Sequence, residues 1–385
     1  MPSRRMLLTT GAASIVVFVS LYGAGRALRS DLTIARAPWL TAGNGFTDPR
    51  LNALSFAILA PSPHNRQPWI VKLEGEDRLS VYCDQNRLLP ETDPQNRQIT
   101  IGFGAFLELL RQAAAENGFR LRMTPFPEGE PQPVLDQRPI AHVQFAKATG
   151  VVKDPLFDAV LTRRTVRTVF QKDSPIGLEA FKKLDTALKP SDGYFEWVED
   201  PENVDALKDI CNRGWLAEIS TANTHHESTA ITRIGAKEIN DNPDGISLSG
   251  PFFEGARLTG ILSRQTMNEP GSRAFAGTKE FYENLINSAA GFGWLSTSDN
   301  SRAEQLNAGA GWVRLHLAAT QAGIAMHPLS QVLQEFPEMN DLNEEVHDFL
   351  RINKPSRIQG LFRFGYAKSP PPSPRWPLQS RLMES

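Results

Sequence analysis

Apolar positions in the first part of the chain recur with the spacing of helices and then with the spacing of strands. They come every three or four residues over Leu51–Leu59, which predicts a helix. Apolar and polar residues alternate over Trp69–Leu73 and Leu79–Cys83, which predicts two strands joined by a charged turn. A strongly amphipathic helix follows over Ile99–Asn117, and Gly118 stands where a C-cap is expected.

The remainder of the chain continues this mixture. We predict further helices at Leu156–Arg167, Leu178–Leu188 and Gln305–Ala322, and further strands at Ala141–Phe145, Phe195–Val198 and Arg357–Tyr366. The segment before the first helix, Pro38–Pro49, is expected to be an irregular arm, and the proline-rich Ser369–Pro374 to be extended. Residues 224–301 are polar, glycine-rich and weakly periodic, which favours a functional lid over a linker.

Composition narrows the class of protein. Hydrophobic residues make up 41% and charged residues 22% of 385, which excludes wholesale disorder and a multi-span membrane protein. The net charge of −2 gives no basic excess, so no nucleic-acid partner is expected. Cys83 and Cys211 form neither a disulfide framework nor a zinc site; a single bridge and two separate buried thiols both remain open.

The N-terminus has the layout of an export signal. Arg4-Arg5 precedes Met6–Gly25, a stretch without charge, and this resembles the twin-arginine motif. We assign residues 1–37 to a twin-arginine signal peptide or an uncleaved anchor, with small residues suitable for cleavage near residues 25–27 and 35–37. The expected partner is the twin-arginine translocase. The expected location is periplasmic or otherwise extracytoplasmic, with anchoring in the inner membrane if the segment is retained.

Two segments carry candidate chemistry. The first, Ala60–Trp69, lies between a helix and a strand; its Asn65 and Gln67 offer planar amides that suit the donor and acceptor edge of a heterocycle. The second is Arg163-Arg164-Thr165-Val166-Arg167. On the predicted helix, Arg163 and Arg167 would share one face and could hold a phosphate.

These segments resemble the FMN-dependent nitroreductase family, in its tandem-half, Acg-like subgroup. The family carries an Arg-x-Ser-x-Arg/Lys segment and a Pro-Ser-x-x-Asn-x-Gln-Pro-Trp turn, and Pro61–Trp69 follows that turn closely. Asp93–Ala105, Gly309–Gln331 and Ser373–Arg375 also match, so the resemblance covers most of the chain after residue 48.

The resemblance implies FMN as cofactor and a role for each matching residue. It places Pro61, Ser62, Asn65 and, less directly, Gln67 at the flavin ring. It assigns the ribityl phosphate to Arg163, Arg164, Thr165, Arg167 and Arg375, and the flavin's reactive edge to Leu329, Ser330 and Gln331. Two departures matter: Thr165 replaces the usual serine, and Ser330 stands where many active members have a glutamate.

Other chemistries lack support in the sequence. The pairs Gly102-x-Gly104 and Gly309-x-Gly311 lack the third glycine and the acidic residue of a dinucleotide fingerprint. The adjacent His225 and His226 have no partner at ligand spacing, so no metal site is expected. The flavin itself would carry the redox chemistry, and no catalytic acid or base is singled out.

The chain also contains a weak internal repeat. Pro190-Ser191, followed by Tyr194–Trp197, resembles a decayed copy of the first turn without its Asn and Gln. We therefore expect an α+β fold, a nitroreductase-like layered sheet flanked by helices, built from two fused pseudo-repeats that mimic the family homodimer. The first half is placed at 48–150 and the second at 151–385, with the lid at 224–301 inserted in the second.

The expected activity is hydride transfer through FMN from a small-molecule donor, possibly NAD(P)H, to a nitroaromatic, quinone or similar acceptor. The alternative is an exported FMN-binding or sequestering protein whose lid blocks turnover. In either case one flavin site would form between the halves of a single chain, so a monomer would suffice.

Overall fold

The computed structural model describes residues 31–172 and 174–384. Its first half contains helices α1 (Thr33–Thr41) and α2 (Pro49–Ala57), strands β1 (Trp69–Glu74) and β2 (Arg78–Cys83), the long helix α3 (Arg97–Glu116), and strands β3 (Phe119–Pro125) and β4 (Ala141–Lys147). The four strands form one antiparallel sheet in the order β1-β2-β4-β3. Helix α3 is buried along most of its length and supplies much of the first core.

The second half begins with helix α4. Its elements, in chain order, are α4 (Leu178–Asp185), β5 (Tyr194–Val198), α5 (Pro201–Ser220), α6 (Ala222–Ala230), β6 (Thr232–Ile234), α7 (Ala236–Asp241), β7 (Ile246–Leu248), α8 (Pro251–Leu258), α9 (Arg264–Asn268), α10 (Arg273–Asn287), β8 (Gly291–Thr297), α11 (Arg302–Gln321), β9 (Ala325–Pro328), α12 (Asn340–Phe349) and β10 (Arg357–Gly365). Its main sheet is antiparallel, in the order β5-β8-β10-β9.

The two main sheets have the same topology. Strands β1, β2, β4 and β3 correspond in order to β5, β8, β10 and β9, and a long helix follows the second strand of each set. The α+β fold class predicted from the sequence is confirmed, and the matching topology supports two fused repeats. The second repeat differs by the segment from α5 to α10, which is inserted between its first two strands.

Two glycines mark the contact between the halves. A Cβ on Gly104 of α3 would run into the carbonyl oxygen of Leu306 and come within 2.9 Å of the Gly309 Cα. A Cβ on Gly309 of α11 would run into the carbonyl oxygen of Ile101 and come within 2.8 Å of the Gly104 Cα. Each glycine therefore meets the residue three positions before the other, as in the self-complementary interface of a two-fold dimer.

The buried arginines at the starts of α3 and α11 also make reciprocal contacts between the two halves. Arg97 donates to the carbonyl of Leu333 at 2.7 Å in the second half, and Arg302 donates to the carbonyls of Gln95 and Pro133, both at 2.8 Å, in the first. Arg302 follows Arg97 by 205 positions in the sequence, and Gly309 follows Gly104 by the same number. The same pseudo-two-fold symmetry therefore relates the two arginines and the two glycines.

The predicted lid is a folded subdomain instead of a loosely structured loop. Residues 224–301 contain most of α6, helices α7–α10 and the parallel pair β6–β7, together with β8 of the main sheet. Their own small core joins Ile234, Leu262, Met267 and Ala274. The sequence missed these elements because most of the helices span only five to nine residues, too few for a clear periodicity.

Other local predictions also need correction. The expected irregular arm contains α1, and Leu156–Arg167 holds only a single 3₁₀ turn at Pro155–Ala159. Cys83 and Cys211 are separate, buried thiols, which settles the alternative left open above. Among the described residues, no helix is both long and apolar enough to cross a membrane.

The predicted export segment lies mostly outside the described residues. Its last seven positions, 31–37, are described, and they run into α1. Ala35 and Trp39 of that helix are buried. A cut near residues 35–37 would therefore sever a packed helix, which favours the earlier of the two cleavage positions or retention of the segment.

Candidate functional site

The turn between α2 and β1 holds a strained backbone. His64, Asn65 and Gln67 adopt positive φ values of 46°, 53° and 50°, a region that costs energy for residues with a side chain. The Ser62 hydroxyl accepts a hydrogen bond from the Gln67 backbone N–H at 3.0 Å and closes the turn. Strain of this kind persists where the surrounding structure imposes it, which is common at binding sites.

The turn is enclosed from two sides. On one side it rests on α3, where a Cβ on Gly102 would lie 3.5 Å from the Ser62 Cα. On the other side the insertion covers it: Gln67 Nε2 donates to the Pro243 carbonyl at 2.8 Å, and the Gly245 N–H donates to the Asn65 carbonyl at 3.3 Å.

Asp244 anchors this cover. Its buried carboxylate pairs with Arg66, Arg87 and Arg233; the Arg66 Nη1 lies 3.3 Å away and the Arg233 Nη2 lies 2.8 Å away. Arg66 belongs to the turn and Arg233 to the insertion. The ion cluster therefore fixes the insertion on the turn.

The C-terminal tail reaches the same turn. The buried Arg375 donates to the Asn65 Oδ1 at 2.6 Å and to the carbonyls of Ala60 at 3.0 Å and Leu59 at 3.1 Å. The Trp376 N–H donates to the Gln67 Oε1 at 2.9 Å. The sequence analysis placed Asn65 at the ring and Arg375 at the phosphate, whereas the structure puts the two side chains in direct contact.

Three of the predicted arginines surround one tryptophan. The guanidinium carbons of Arg164, Arg375 and Arg163 lie 4.7, 5.4 and 5.8 Å from the centre of the Trp39 ring. Such distances allow cation–π attraction. Trp39 is itself buried on α1 and donates its indole N–H to the Ser373 carbonyl at 2.8 Å. We call Trp39 and these three arginines the arginine–tryptophan cluster.

The positive charge of this cluster is uncompensated within the described part of the chain. No carboxylate there forms an ion pair with its three arginines. Burial, reinforced by neighbouring Arg164, lowers the pKa of Arg163 to about 9, and burial likewise holds the pKa of Arg375 well below its ordinary value. Buried guanidiniums that repel one another are stabilised by a bound anion.

A buried histidine orients Arg163. Arg163 donates through Nη1 to the His316 Nδ1 at 3.4 Å and through Nη2 to the Leu59 carbonyl at 2.8 Å. Since the ring Nδ1 then accepts, the Nε2–H donates to the Arg164 carbonyl at 2.9 Å. Burial lowers the pKa of His316 to about 3, so the ring is neutral and serves as an acceptor.

Arg163 and Arg167 do not share a helix face. Residues 163–167 are irregular, and β-branched Thr162, Thr165 and Val166 explain why no helix forms there. In an extended chain four residues span about 13 Å, roughly twice the distance in a helix. Arg167 is exposed and leaves the cluster, with its guanidinium carbon 5.8 Å from the centre of the Tyr282 ring.

A second group of polar residues gathers around Tyr282. Gln331 Nε2 donates to the Tyr282 hydroxyl at 3.0 Å, and Gln334 Nε2 donates to the buried carboxyl of Glu218 at 3.1 Å. Burial raises the pKa of Glu218 to about 7. Arg167 also adds to burial in lowering the pKa of His64, to about 4, which links this group to the turn.

The structure thus divides the predicted residues between two neighbouring groups. Ser62, Asn65, Gln67, Arg163, Arg164 and Arg375 gather at the turn and the arginine–tryptophan cluster, while Arg167 and Gln331 lie beside Tyr282. Leu329 is buried, and Pro61, Thr165 and Ser330 are half-buried. The role of each residue in flavin binding stays a prediction.

Sequence reasoning missed three side chains of this region: Trp39, Tyr282 and Glu218. Trp39 and the buried Ala35 stand four residues apart, a helical spacing that marks a packed face. Tyr282 and Glu218 belong to the insertion. No local sequence pattern marks them as site residues, because only the fold brings α5 and α10 to the loop after β9.

Comparisons with known proteins agree with the resemblance. The chain is 27% identical to "Putative NAD(P)H nitroreductase acg" of Mycobacterium tuberculosis over 340 residues, which cover 86% of this chain and 94% of the relative. It is also 27% identical to an uncharacterized protein of the same organism over 345 residues, 86% of this chain and 92% of that protein. No family model matches.

Among solved structures, the FMN-dependent nitroreductase NfnB from Mycobacterium smegmatis, in complex with NADPH, is 17% identical. The alignment covers 59% of this chain and 96% of that chain, with a TM-score of 0.36. The first relative, which spans nearly the whole chain, confirms the predicted resemblance to nitroreductases.

Proposed function

We propose that this protein is an FMN-binding oxidoreductase. The observation that carries the proposal is the arginine–tryptophan cluster. Its two buried arginines and the half-buried Arg164 have no carboxylate partner in the described chain, and they lie beside a strained turn rich in amides. The Nε atoms of Arg163 and Arg375 and the Nδ1 of His64 are buried without a hydrogen-bond partner. These residues fit an anionic, heterocyclic cofactor, because buried polar atoms are normally satisfied.

Different residues of the site would bind different parts of FMN. Arg163 and Arg164 would bind the phosphate, since they supply charge with free hydrogen-bonding capacity. The Asn65 amide and the turn around it would bind and orient the ring system. Arg375 would act mainly by positioning Asn65, because its two Nη atoms are already taken up by protein acceptors.

The flavin, when bound, accepts a hydride and passes electrons on, so the protein's own contribution is binding, orientation and exclusion of water. Asp244 and its neighbours cover the turn, and the tail seals its other border through Trp376. Arg167 is exposed beside Tyr282 and Gln331, and we expect a second small molecule to approach the flavin from this side. The name of the first relative supports NAD(P)H as donor and a nitro compound as acceptor; a quinone is the other acceptor that we propose.

A second candidate function is FMN sequestration without turnover. It is favoured by the contacts that fix the insertion and the tail on the turn, because these restrict access to any flavin beneath them. Mixing the purified holoprotein with NADPH under anaerobic conditions separates the two. Bleaching of the flavin absorbance within seconds supports the oxidoreductase, whereas a flavin that only dithionite reduces supports sequestration.

The proposed binding of the FMN phosphate by Arg163 can be tested separately. Arg163→Ala should weaken FMN retention about 10- to 100-fold, because a hydrogen bond to a charged group contributes about 1.5–3 kcal/mol. Arg120→Ala is the matched control, because Arg120 is an exposed arginine on β3, away from the turn. Equal FMN affinity in both variants, measured by fluorescence titration, contradicts the phosphate assignment.

We also propose export through the twin-arginine route, supported by the Arg4-Arg5 pair before an uncharged stretch. Replacing both arginines with lysine should leave the protein in the cytoplasm, because the receptor reads guanidinium groups that lysine does not reproduce. Cell fractionation with the wild-type chain as control measures this. Unchanged export of the double-lysine variant contradicts the proposal.

A further inference from the structure

Three short helices form one continuous layer on the surface. The Ala35 N–H of α1 donates to the Asn240 Oδ1 of α7 at 3.0 Å, and the Asn240 Nδ2 donates back to the Asp31 carbonyl at 2.7 Å. The Ala236 N–H, at the start of α7, donates to the Glu254 Oε1 of α8 at 2.6 Å. Helices α1, α7 and α8 are therefore fixed side by side.

This layer exposes several large apolar side chains. They are Ile34 at 71% and Leu40 at 73% on α1, Phe252 at 77% and Leu258 at 62% on α8, and Ile261 at 48% three residues after α8. Single exposed apolar residues are ordinary, but a cluster on connected elements marks an interaction surface.

Helix α8 is apolar on both sides. Its inward Phe253 and Ala256 pack against the small core of the insertion, while Phe252 and Leu258 face outward. Polar side chains would be expected on the outer face of a helix that only covers a core. The outer residues of α8 thus suit an apolar environment.

The chain itself leads from this layer to an apolar segment. Met6–Gly25 contains twenty residues without a charge, the length that crosses the roughly 30 Å apolar part of a bilayer as a helix. Helix α1 starts at Thr33, eight residues after Gly25, and eight residues reach at most about 28 Å. Retention of the apolar segment in a membrane would therefore hold α1 next to that membrane.

We propose that the layer of α1, α7 and α8 lies on a lipid bilayer, with Phe252, Leu258 and Ile261 in the interface between headgroups and acyl chains. Aromatic and aliphatic side chains on a helix lying in the membrane plane bind in this way. Lys237 and Arg257, which are exposed on α7 and α8 and pair with Asp241 and Glu254, would exchange these partners for lipid phosphates. This proposal does not depend on flavin binding.

Spin labels can test which environment the layer occupies. The full chain, with Phe252→Cys carrying a nitroxide, is reconstituted in vesicles of phosphatidylcholine and phosphatidylglycerol. Val152→Cys is the control, because Val152 is 85% exposed and lies next to Lys153, which pairs with Glu116 at the end of α3. The native thiols are buried and should not react.

The expected result is a several-fold higher ratio of oxygen to nickel-complex collision rates at position 252 than at position 152, because oxygen concentrates in the acyl region. Leu258→Cys should give the same result and guards against misfolding of one variant. Equal ratios at 252 and 152 overturn the proposal. Protection of the 252 label from both reagents in detergent without lipid also overturns it, since a second copy or the chain's own apolar segment would then cover the patch.

Discussion

At the scale of single residues, backbone strain is concentrated in the turn between α2 and β1. Three non-glycine residues with positive φ lie within four positions, and hydrogen bonds from Arg375 to Asn65 and from Trp376 to Gln67 hold two of them. The sequence predicted the identity of this turn through Ser62, Asn65 and Gln67. It could not predict the contact between Asn65 and Arg375, because 310 residues separate the two and no local pattern encodes that distance.

Trp39 should be important for cofactor binding although it carries no charge. Trp39→Leu should weaken FMN retention about tenfold, because each cation–π contact contributes on the order of 0.5–1 kcal/mol and three guanidiniums share the ring. Trp312→Leu is the control: Trp312 packs on Phe362, and none of the cation–π contacts described above involves it. A similar loss of affinity in both variants, measured by equilibrium dialysis, would assign the effect to general destabilisation.

Glu218 should make stability depend on pH. Burial raises its pKa from 4.5 to about 7, so between these pH values the folded chain still holds a proton that the unfolded chain has released. Stability contributed by this group is therefore lost as pH rises through that window, by about 3 kcal/mol. Glu218→Gln should raise the melting temperature at pH 8 relative to wild type, and the gain should shrink towards pH 5.

The matched control for that measurement is Glu280→Gln, because Glu280 is exposed on α10. Glu227 and Arg167, the other charged groups that act on Glu218, remain unchanged in both variants. A gain at pH 8 that persists undiminished at pH 5 would mean that the substitution acts through packing and not through the proton.

At the scale of elements, the crossing of α3 and α11 depends on two glycines. Gly104→Ala should destabilise the fold by several kcal/mol, since its Cβ would collide with the backbone at Leu306 and Gly309 and backbone cannot move aside cheaply. Gly309→Ala should behave alike because the contact is reciprocal. Urea unfolding measures both.

Gly277→Ala supplies the control for this pair. Gly277 lies inside α10, and a Cβ there would meet nothing within 4 Å. Alanine favours a helix over glycine by about 0.5–1 kcal/mol, so this variant should be slightly more stable than wild type. Equal destabilisation at positions 104 and 277 would show that the crossing does not require close approach.

Elements with a clear periodic pattern were predictable, whereas helix α5, of 20 residues, and strands β3 and β8, of seven residues each, were missed. Helices α3 and α11 and strands β1, β2 and β10 were predicted because each repeats its apolar spacing over five or more residues. Strand β9 spans four residues and was missed. The helix expected through Arg167 was wrong because apolar spacing was read without the β-branched residues that oppose helix formation.

At the scale of the whole molecule, we expect one FMN per chain and no requirement for dimerisation. The second half has its own turn at residues 186–193, but there Asp192 is buried, lies 3.5 Å from Arg314 and contacts Gly311. A carboxylate in that place repels a phosphate, and residues 186–193 contain no asparagine that could take the part of Asn65. Release of flavin by heat, with the mass of the holoprotein measured by light scattering, gives the ratio and the oligomeric state. Two flavins per chain would contradict the fused-halves interpretation.

The insertion between β5 and β8 has a consequence for how this molecule could change over evolution. In a homodimer every inserted residue occurs twice, once on each side of the symmetry axis, so a cover built over one cavity is also built over the other. Here the axis runs between α3 and α11 within a single polypeptide, and a mutation affects one side only. One side can thus carry a large subdomain while the opposite side holds the buried Asp192. Two repeats within one polypeptide can therefore change independently of each other.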